Sequence, residues 1–250
     1  MMPYPVTPRD QFLVEGLSAL AEYVRHKPSA IKCIFYKAKY KEKVLDLVGT
    51  LRIPHQLLEE RTSNTDMSVA PVFAHVSLGY QSFTHVTKVL ENSQDTNLVL
   101  ALDHITDPRN LGAIARSAAF FGVKYILLPK MRQVLFTDAS VATSQGAFAF
   151  SELVLVSNLN QSLEKLKDLG FWIICADSEG EPFQKVLAQY KRVVLLLGSE
   201  GKGVSELLKK KSDRIIAIAS PHKILDSLNV SVAAGILLQS FSAHTPQSVS

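Results

Sequence analysis

Residues 195–203 read Leu195-Leu196-Leu197-Gly198-Ser199-Glu200-Gly201-Lys202-Gly203, an apolar run that passes directly into a glycine-rich loop. The run is typical of a strand buried on both faces of a parallel sheet. The glycine spacing is neither G-x-G-x-x-G nor that of a P-loop. Glu200 would place negative charge where a helix N-terminus otherwise binds phosphate, so a neutral or cationic ligand fits better. Taken alone, a tight turn in which Glu200 supports the following helix explains the loop better than a ligand site does.

The same strand-to-helix pattern repeats over the second half of the chain. Short apolar runs occupy 98–102, 123–128, 153–156, 171–176, 193–197 and 215–218, and helical patterns occupy 111–121, 138–148, 160–169 and 204–211. This alternation predicts an α/β fold with an open parallel sheet. Ligands of such sheets bind beyond the carboxyl ends of the strands. We therefore expect the chemistry in segments 103–116, 198–203 and 219–229.

The first half of the chain predicts a smaller α/β unit. Helical spacing covers 14–24 and 44–51, and strand-like runs cover 31–36 and 72–78. Residues 91–97 are entirely polar, which is typical of a linker. The predicted organisation is a small unit over 1–90, a linker over 91–97, a sheet domain over 98–242 and a flexible tail over 243–250.

A basic segment lies inside the small unit. Seven basic residues and one acid, Glu42, fall in the segment from Arg25 to Lys43. Tyr23 lies just before this segment, and Phe35, Tyr36 and Tyr40 are interleaved within it. Basic side chains neutralise phosphates and aromatic rings stack on bases, so the segment is a candidate RNA surface. A solvated face with the aromatic rings in the core explains it equally well. The candidate RNA-binding residues are Arg25, Lys27, Lys37, Lys39 and Lys41.

Composition excludes several classes of protein. The chain has 250 residues, of which 47% are hydrophobic and 20% charged, with a net charge of +4, as in a globular protein rather than a disordered chain, collagen or a coiled coil. Two cysteines, Cys33 and Cys175, make no disulfide framework, so we expect a reducing, cytoplasmic location and inert core thiols. No apolar run is long enough for a membrane span, and residues 1–10 lack the pattern of a signal peptide. His75 and His104 lack metal-ligand spacing, so we expect no metal.

Two further segments carry candidate site residues. In 103–116, Asn110 is a candidate helix N-cap, and Arg116 lies in an otherwise small, apolar helix. Such an arginine is expected to face a partner, a cleft or an anion, or else to pair with Asp103 or Asp107. In 226–236, Ser227 and Asn229 either cap a helix or hold a ligand.

The three segments together are more specific than any one of them. N-L-G-A-I-A-R-S-A at 110–118, L-G-S-E-G-K-G at 197–203 and S-L-N-V-S-V-A-A-G at 227–235 closely resemble the three motifs of the SPOUT superfamily, in particular of its TrmH-type RNA 2′-O-ribose methyltransferases. The resemblance covers 98–241. The first 90 residues resemble, more loosely, the substrate-binding domain of the RlmB-like branch, and the match is closest at residues 16–20.

The resemblance implies a C-terminal trefoil knot, an S-adenosylmethionine site and a homodimer whose active site is completed across the interface. It implies methylation of a ribose in RNA, most simply that of a guanosine in 23S rRNA or in a tRNA. The implied cofactor residues are Leu197, Gly198, Glu200, Gly201, Ile218, Ser227 and Leu228. The implied catalytic residues are Asn110, Arg116, Glu200, Ser227 and Asn229. Because a guanidinium pKa lies above about 12, Arg116 suits phosphate binding and alkoxide stabilisation better than proton abstraction.

One departure from the motifs keeps alternatives open. Residues 218–223 read Ile218-Ala219-Ser220-Pro221-His222-Lys223, where the superfamily usually has I-P-M-x-G, and the loop is one residue longer. A non-catalytic RNA-binding relative with an altered cofactor loop is therefore the second hypothesis. A nucleotide-dependent α/β enzyme is the third, and Glu200 in the glycine loop counts against it.

Overall fold

The two sheets share one hydrophobic core, and a second core lies on the other face of the larger sheet. The structure is a computed structural model and describes residues 11–58, 70–93, 98–131, 135–187, 189–220, 224 and 227–244. Within these residues no helix is both long enough and apolar enough to cross a bilayer.

The first sheet has four strands and belongs to the small unit. Its elements are β1 (Phe12–Glu15), α1 (Leu17–His26), β2 (Ile31–Tyr36), α2 (Lys41–Val48), β3 (His55–Leu57) and β4 (Val72–Val76). The order is β1-β4-β2-β3, with β4 antiparallel to both neighbours and β2 parallel to β3. The helix predicted from residue 14 begins only at Leu17, because Gly16 has a φ of 88° and Val14 lies in β1.

The second sheet has seven strands, all parallel to their neighbours. Its elements are β5 (Gln81–Ser82), α3 (Phe83–Asn92), β6 (Leu98–Asp103), α4 (Pro108–Phe120), β7 (Tyr125–Pro129), α5 (Asp138–Ser144), β8 (Glu152–Val156), α6 (Leu159–Asp168), β9 (Trp172–Pro182), α7 (Gln184–Leu187), β10 (Val193–Gly198), α8 (Glu206–Lys211), β11 (Arg214–Ala217) and α9 (Val230–His244). The order β11-β9-β10-β6-β7-β8-β5 confirms the predicted parallel α/β sheet.

Helices cover both faces of this sheet. Side chains of α4, α5 and α9 share one core with the small unit, and those of α3, α6 and α8 form the core on the other face. The strand order runs outward in opposite directions from β6 and β10, whose carboxyl ends lie side by side with Asp103 opposite Gly198. Such a switch point is where open α/β sheets bind ligands.

The predicted helix over 138–148 is wrong in its second half. Helix α5 ends at Ser144 because Gln145 and Gly146 have φ angles of 50° and 92°. A 3-10 turn follows and buries Phe148. A Cβ on Gly146 would lie 2.7 Å from the carbonyl oxygen of Ala19, so α1 of the small unit packs directly on this turn.

The segment over 81–92 lies with the larger sheet rather than with the small unit. Strand β5 pairs with β8, and Val86 and Leu90 of α3 are fully buried in the core on the α6 face. Residues 94–97 of the predicted linker lie outside the described residues. The last helix reaches His244, two residues beyond the predicted domain end, and 245–250 also lie outside the described residues.

Candidate active site

A cleft of about 600 Å³ opens at the carboxyl ends of β9, β10 and β11, beside the start of α9. The residues proposed from the motifs as cofactor contacts all line it: Leu197, Gly198, Glu200, Gly201, Ile218, Ser227 and Leu228. Segments that lie far apart in the sequence are thus brought to one concave surface at the switch point of the sheet.

The glycine loop is closed on itself. The Ser199 amide donates to the Gly203 carbonyl (3.1 Å), and the Gly203 amide donates to the Ser199 carbonyl (2.9 Å). A Cβ on Gly198 would lie 2.1 Å from the carbonyl carbon of Gly203, so no other residue permits this closure. The loop therefore presents backbone groups to the cleft in a fixed arrangement.

The three motifs meet at the carboxylate of Glu200. The Asn110 side-chain amide donates to Glu200 Oε1 (2.9 Å), and the Asn229 side-chain amide donates both to the same oxygen and to Asn110 Oδ1 (3.0 Å). Two amide donors therefore hold one carboxylate oxygen at the edge of the cleft.

Local structure explains why both asparagines are available. Helix α4 is capped by Asp107, whose carboxylate accepts from the Arg109 amide (2.7 Å), so the prediction that Asn110 is the N-cap is wrong. Asn110 instead lies in the first turn with its side chain free to reach Glu200. The Asn229 carbonyl oxygen Oδ1 accepts from the Ser231 amide (2.9 Å) at the start of α9, which leaves its amide nitrogen for Glu200. Both side chains are thereby held by helix starts.

Arg116 does not join this group within one chain. It is exposed on α4, and among the described residues it forms no ion pair. It follows Asn110 by six positions, which is about 9 Å along a helix and on a different face. The alternative that it pairs with Asp103 is wrong, because Asp103 is buried and accepts from the Ser205 amide (2.9 Å) and from His104 Nδ1 (2.6 Å).

Sequence reasoning missed the charged residues that β9 and α8 contribute to the cleft. Asp177 and Lys209 form an ion pair at 2.5 Å and both line the cleft, as do Glu179, Lys202 and Glu206. The available signal was the position of Asp177, which directly follows the predicted strand over 171–176. Together with Glu200, the lining holds four acids and two lysines, which suits a cationic ligand.

The basic segment is partly a surface and partly core. Tyr23, Phe35 and Tyr36 are buried, whereas Tyr40 is half-buried beneath Lys39 and Lys43, whose amines lie 5.2 and 6.0 Å from its ring centre. Lys39 and Lys41 are exposed, and Lys37 is half-buried. Arg25 pairs with Glu22 (3.0 Å), and Lys27 is the C-cap residue that follows α1.

The remaining candidates are structural. Cys33 and Cys175 lie in β2 and β9 as predicted, and burial raises the pKa of both thiols, to about 12 for Cys175. His75 is buried against the rings of Phe35 and Phe73. Across the described ranges no three His, Cys, Asp or Glu side chains form a group that could hold a metal ion.

Known proteins resemble the chain in sequence and in fold. An "uncharacterized tRNA/rRNA methyltransferase" of Borreliella burgdorferi is 39% identical over 158 residues, covering 61% of this chain and 69% of that protein. A protein of the same description from Mycoplasma genitalium is 32% identical over 238 residues, covering 92% and 97% of the two chains. The SpoU methyltransferase AviRb of Streptomyces viridochromogenes, solved in complex with AdoMet, has a TM-score of 0.74 at 20% identity and covers 94% of this chain and 90% of its own, which is a likeness of fold.

The sequence also matches the profile of the SpoU rRNA methylase family over residues 97–239. This match includes all three motifs, the whole of β6 to β11 and the cleft between them. The chain therefore belongs to the SpoU rRNA methylase family.

Proposed function

We propose that the protein is an S-adenosylmethionine-dependent RNA 2′-O-ribose methyltransferase. The observation that carries the proposal is the convergence of three distant motifs on Glu200, at the edge of a cleft lined by the motif residues. The curated relatives from Borreliella and Mycoplasma, both named tRNA/rRNA methyltransferases, support RNA as the substrate.

The cleft fits the cofactor in shape and charge. Leu197, Ile218, Leu228 and Leu237 give it apolar walls for an adenine ring, and the glycine loop offers backbone groups beside them. The excess of acids over lysines favours a cation. When bound, S-adenosylmethionine supplies a methyl group on a positively charged sulfur.

The chain's own residues supply alignment and electrostatic stabilisation. Asn110 and Asn229 fix Glu200 Oε1, and no described residue donates to Oε2, which is available to a hydroxyl or cationic donor. Holding the reacting groups in one geometry is the main source of acceleration in such a transfer. Arg116 binds the phosphate beside the acceptor ribose and stabilises the developing alkoxide. Ser227 orients the substrate at the mouth of the cleft.

A second copy of the chain completes the site. Arg116 lies on the exposed side of α4, near Phe120, which is 83% exposed; Val232 on α9 is 50% exposed. A homodimer that covers Phe120 and Val232 would bring Arg116 of one copy to the cleft of the other. In this arrangement the C-terminal segment forms the trefoil knot of the superfamily.

The small unit selects the RNA. Arg25, Lys27, Lys37, Lys39 and Lys41 contact phosphates, and Tyr40 offers a ring for stacking. The target is the ribose of a guanosine in 23S rRNA or in a tRNA, and the reaction takes place in the cytoplasm, in keeping with two unpaired cysteines.

Ligand binding followed by analysis of the RNA product tests the proposal. Isothermal calorimetry with S-adenosylmethionine and S-adenosylhomocysteine should show one site per chain, and digestion of treated RNA should then yield a 2′-O-methylated nucleoside. Binding of RNA without either cofactor form would favour the non-catalytic relative, and binding of neither would reject both.

A further inference from the structure

The irregular middle part of β9 contributes a second polar group to the cleft, separate from the three motifs. Pairing of β9 with β11 breaks between Cys175 and Glu181, so the intervening residues leave the ladder and turn into the cleft. The chain returns at Gly180, where a Cβ would lie 2.4 Å from the backbone carbon of Ile216. This bulge places the carboxylate of Asp177 just beyond the point where the pairing of β9 with β10 ends.

Asp177 is held by two hydrogen-bond donors and lies beside the glycine loop. Lys209 of α8 donates to Oδ2 (2.5 Å), the Glu179 amide donates to Oδ1 (3.1 Å), and a Cβ on Gly203 would lie 3.4 Å from Oδ2. Only 9% of the Asp177 side chain and 19% of the Lys209 side chain are exposed. The carboxylate is therefore fixed against the glycine loop.

The pair remains ionised despite its burial. Desolvation acts to raise the pKa of the Asp177 carboxyl, but the hydrogen bond from Lys209 and that from the Glu179 amide outweigh it, and the pKa is lowered. The hydrogen bond to Asp177 raises the pKa of Lys209. Replacing such a pair by apolar residues is often neutral or stabilising, so stability alone does not account for a charged pair at this point of the cleft.

A carboxylate in this position has a specific use in α/β sheets. An ionised carboxylate has about four acceptor positions, and the described residues use two of those of Asp177. Doubly wound sheets commonly bind ribose hydroxyls through an acid at the end of the strand beside the glycine loop. Asp177 lies two residues beyond Cys175, the last residue of β9 that pairs with β10, and β10 carries the glycine loop here.

We propose that Asp177 binds the ribose hydroxyls of the adenosyl group and that Lys209 is a positioning residue, which holds the Asp177 carboxylate in place. This inference rests on the proposed function, because it assigns a part of the same cofactor cleft. It concerns the ribose of the cofactor and not that of the RNA.

Binding measurements with deoxy analogues test this directly. Wild-type protein should bind S-adenosylhomocysteine about 10- to 100-fold more tightly than its 2′-deoxy or 3′-deoxy analogue, the range of one charge-assisted hydrogen bond. Asp177→Asn should weaken binding of S-adenosylhomocysteine by a similar factor. The variant should then bind the parent compound and the deoxy analogues with nearly equal affinity. Equal binding of parent and analogues by wild-type protein would overturn the inference without any variant.

Matched variants separate contact from positioning. Lys209→Gln should weaken binding of S-adenosylhomocysteine by less than Asp177→Asn does, and it should keep part of the discrimination against the deoxy analogues. Lys210 is an exposed neighbour on α8, so Lys210→Gln should change neither the affinity nor the discrimination. If Asp177→Asn binds all compounds more weakly but still discriminates between them, Asp177 is only structural and the inference fails. If wild-type protein binds no adenosyl compound, the proposed function itself fails.

Discussion

Of the candidate site residues, Arg116 is the one whose side chain contributes least to the structure of the fold. It is exposed and has no ion pair with the described residues. Arg116→Ala should therefore change the free energy of unfolding by less than about 0.5 kcal/mol. Methyl transfer should fall by about 10² to 10³, as on losing one preorganised charge donor, while S-adenosylmethionine affinity stays constant. Initial rates and calorimetry measure the two effects separately.

Two companion variants sharpen this result. Arg109→Ala removes an exposed arginine from the same helix and should leave the rate unchanged. Arg116→Lys keeps the charge without the planar fork and should recover little if the guanidinium binds phosphate through two hydrogen bonds. A sharp drop in melting temperature with normal turnover of the folded fraction would make Arg116 a scaffold residue.

Cys175 should be chemically inert although it lies one residue from the cleft lining. Burial, followed by the negative charge of Asp177, raises the pKa of its thiol to about 12. At pH 8 the thiolate fraction is then about 10⁻⁴, and at pH 9 it is still only about 10⁻³. In a Cys33→Ser variant, the remaining thiol should not react with Ellman's reagent over this pH range until the protein is denatured. Rapid labelling of the native variant would contradict the burial of this strand end.

The glycine loop is the element on which the proposed cofactor site depends. A Cβ on Gly198 would meet the backbone of Gly203 at 2.1 Å, so Gly198→Ala must open the loop. We expect a loss of stability of about 1–3 kcal/mol and loss of measurable S-adenosylmethionine binding. Gly79→Ala is the matched control, because nothing lies within 4 Å of a Cβ there. Unchanged cofactor affinity in Gly198→Ala would remove the loop from the site.

The part of the basic segment that follows β2 makes a separate prediction. Replacing Lys37, Lys39 and Lys41 by Gln should lower RNA affinity and reduce its salt dependence by up to about one unit of log–log slope per lost phosphate contact. Cofactor affinity should not change. Replacing Lys165, Lys191 and Lys210, which are exposed on the larger sheet domain, alters the net charge equally and is the control. Equal salt slopes for both triple variants would show that the segment is only solvated surface.

Strands and helices were largely predictable, and the exceptions have local causes. Near-continuous apolar runs identified β6 to β11, because strands buried on both faces need them. Two-residue β5 has no such signal, so the small unit predicted over 1–90 includes β5 and most of α3, which lie with the larger sheet. Asn110 was predicted as a cap because its side chain suits one, but Asp107 lies at the actual helix start, one residue before Pro108.

The candidate site was also predictable in part and not in full. Motif spacing identified Glu200 and both of its asparagine partners, since backbone-held loops leave clear glycine and asparagine patterns. Asp177 and Lys209 follow from a bulge in β9 and the packing of α8, which depend on register. No sequence pattern around either residue indicates this strand register. The exposure of Arg116 was also undetermined, because an arginine in a small-residue helix fits either an ion pair or an interface.

Over the whole molecule, the central question is whether the active site belongs to one chain or to two. Arg116 and Glu200 lie apart in the chain described, and the proposed homodimer unites the Arg116 of one copy with the Glu200 of the other. Arg116→Ala and Glu200→Gln should each be inactive alone. A mixed dimer would hold one site with both residues intact, so equal mixing after subunit exchange should restore about a quarter of wild-type activity.

Phe120→Asp, which places a charge at the exposed apolar position on α4, should yield monomers by sedimentation and abolish the restored activity. Dimers that exchange subunits yet stay inactive would show that Arg116 and Glu200 act within the same chain.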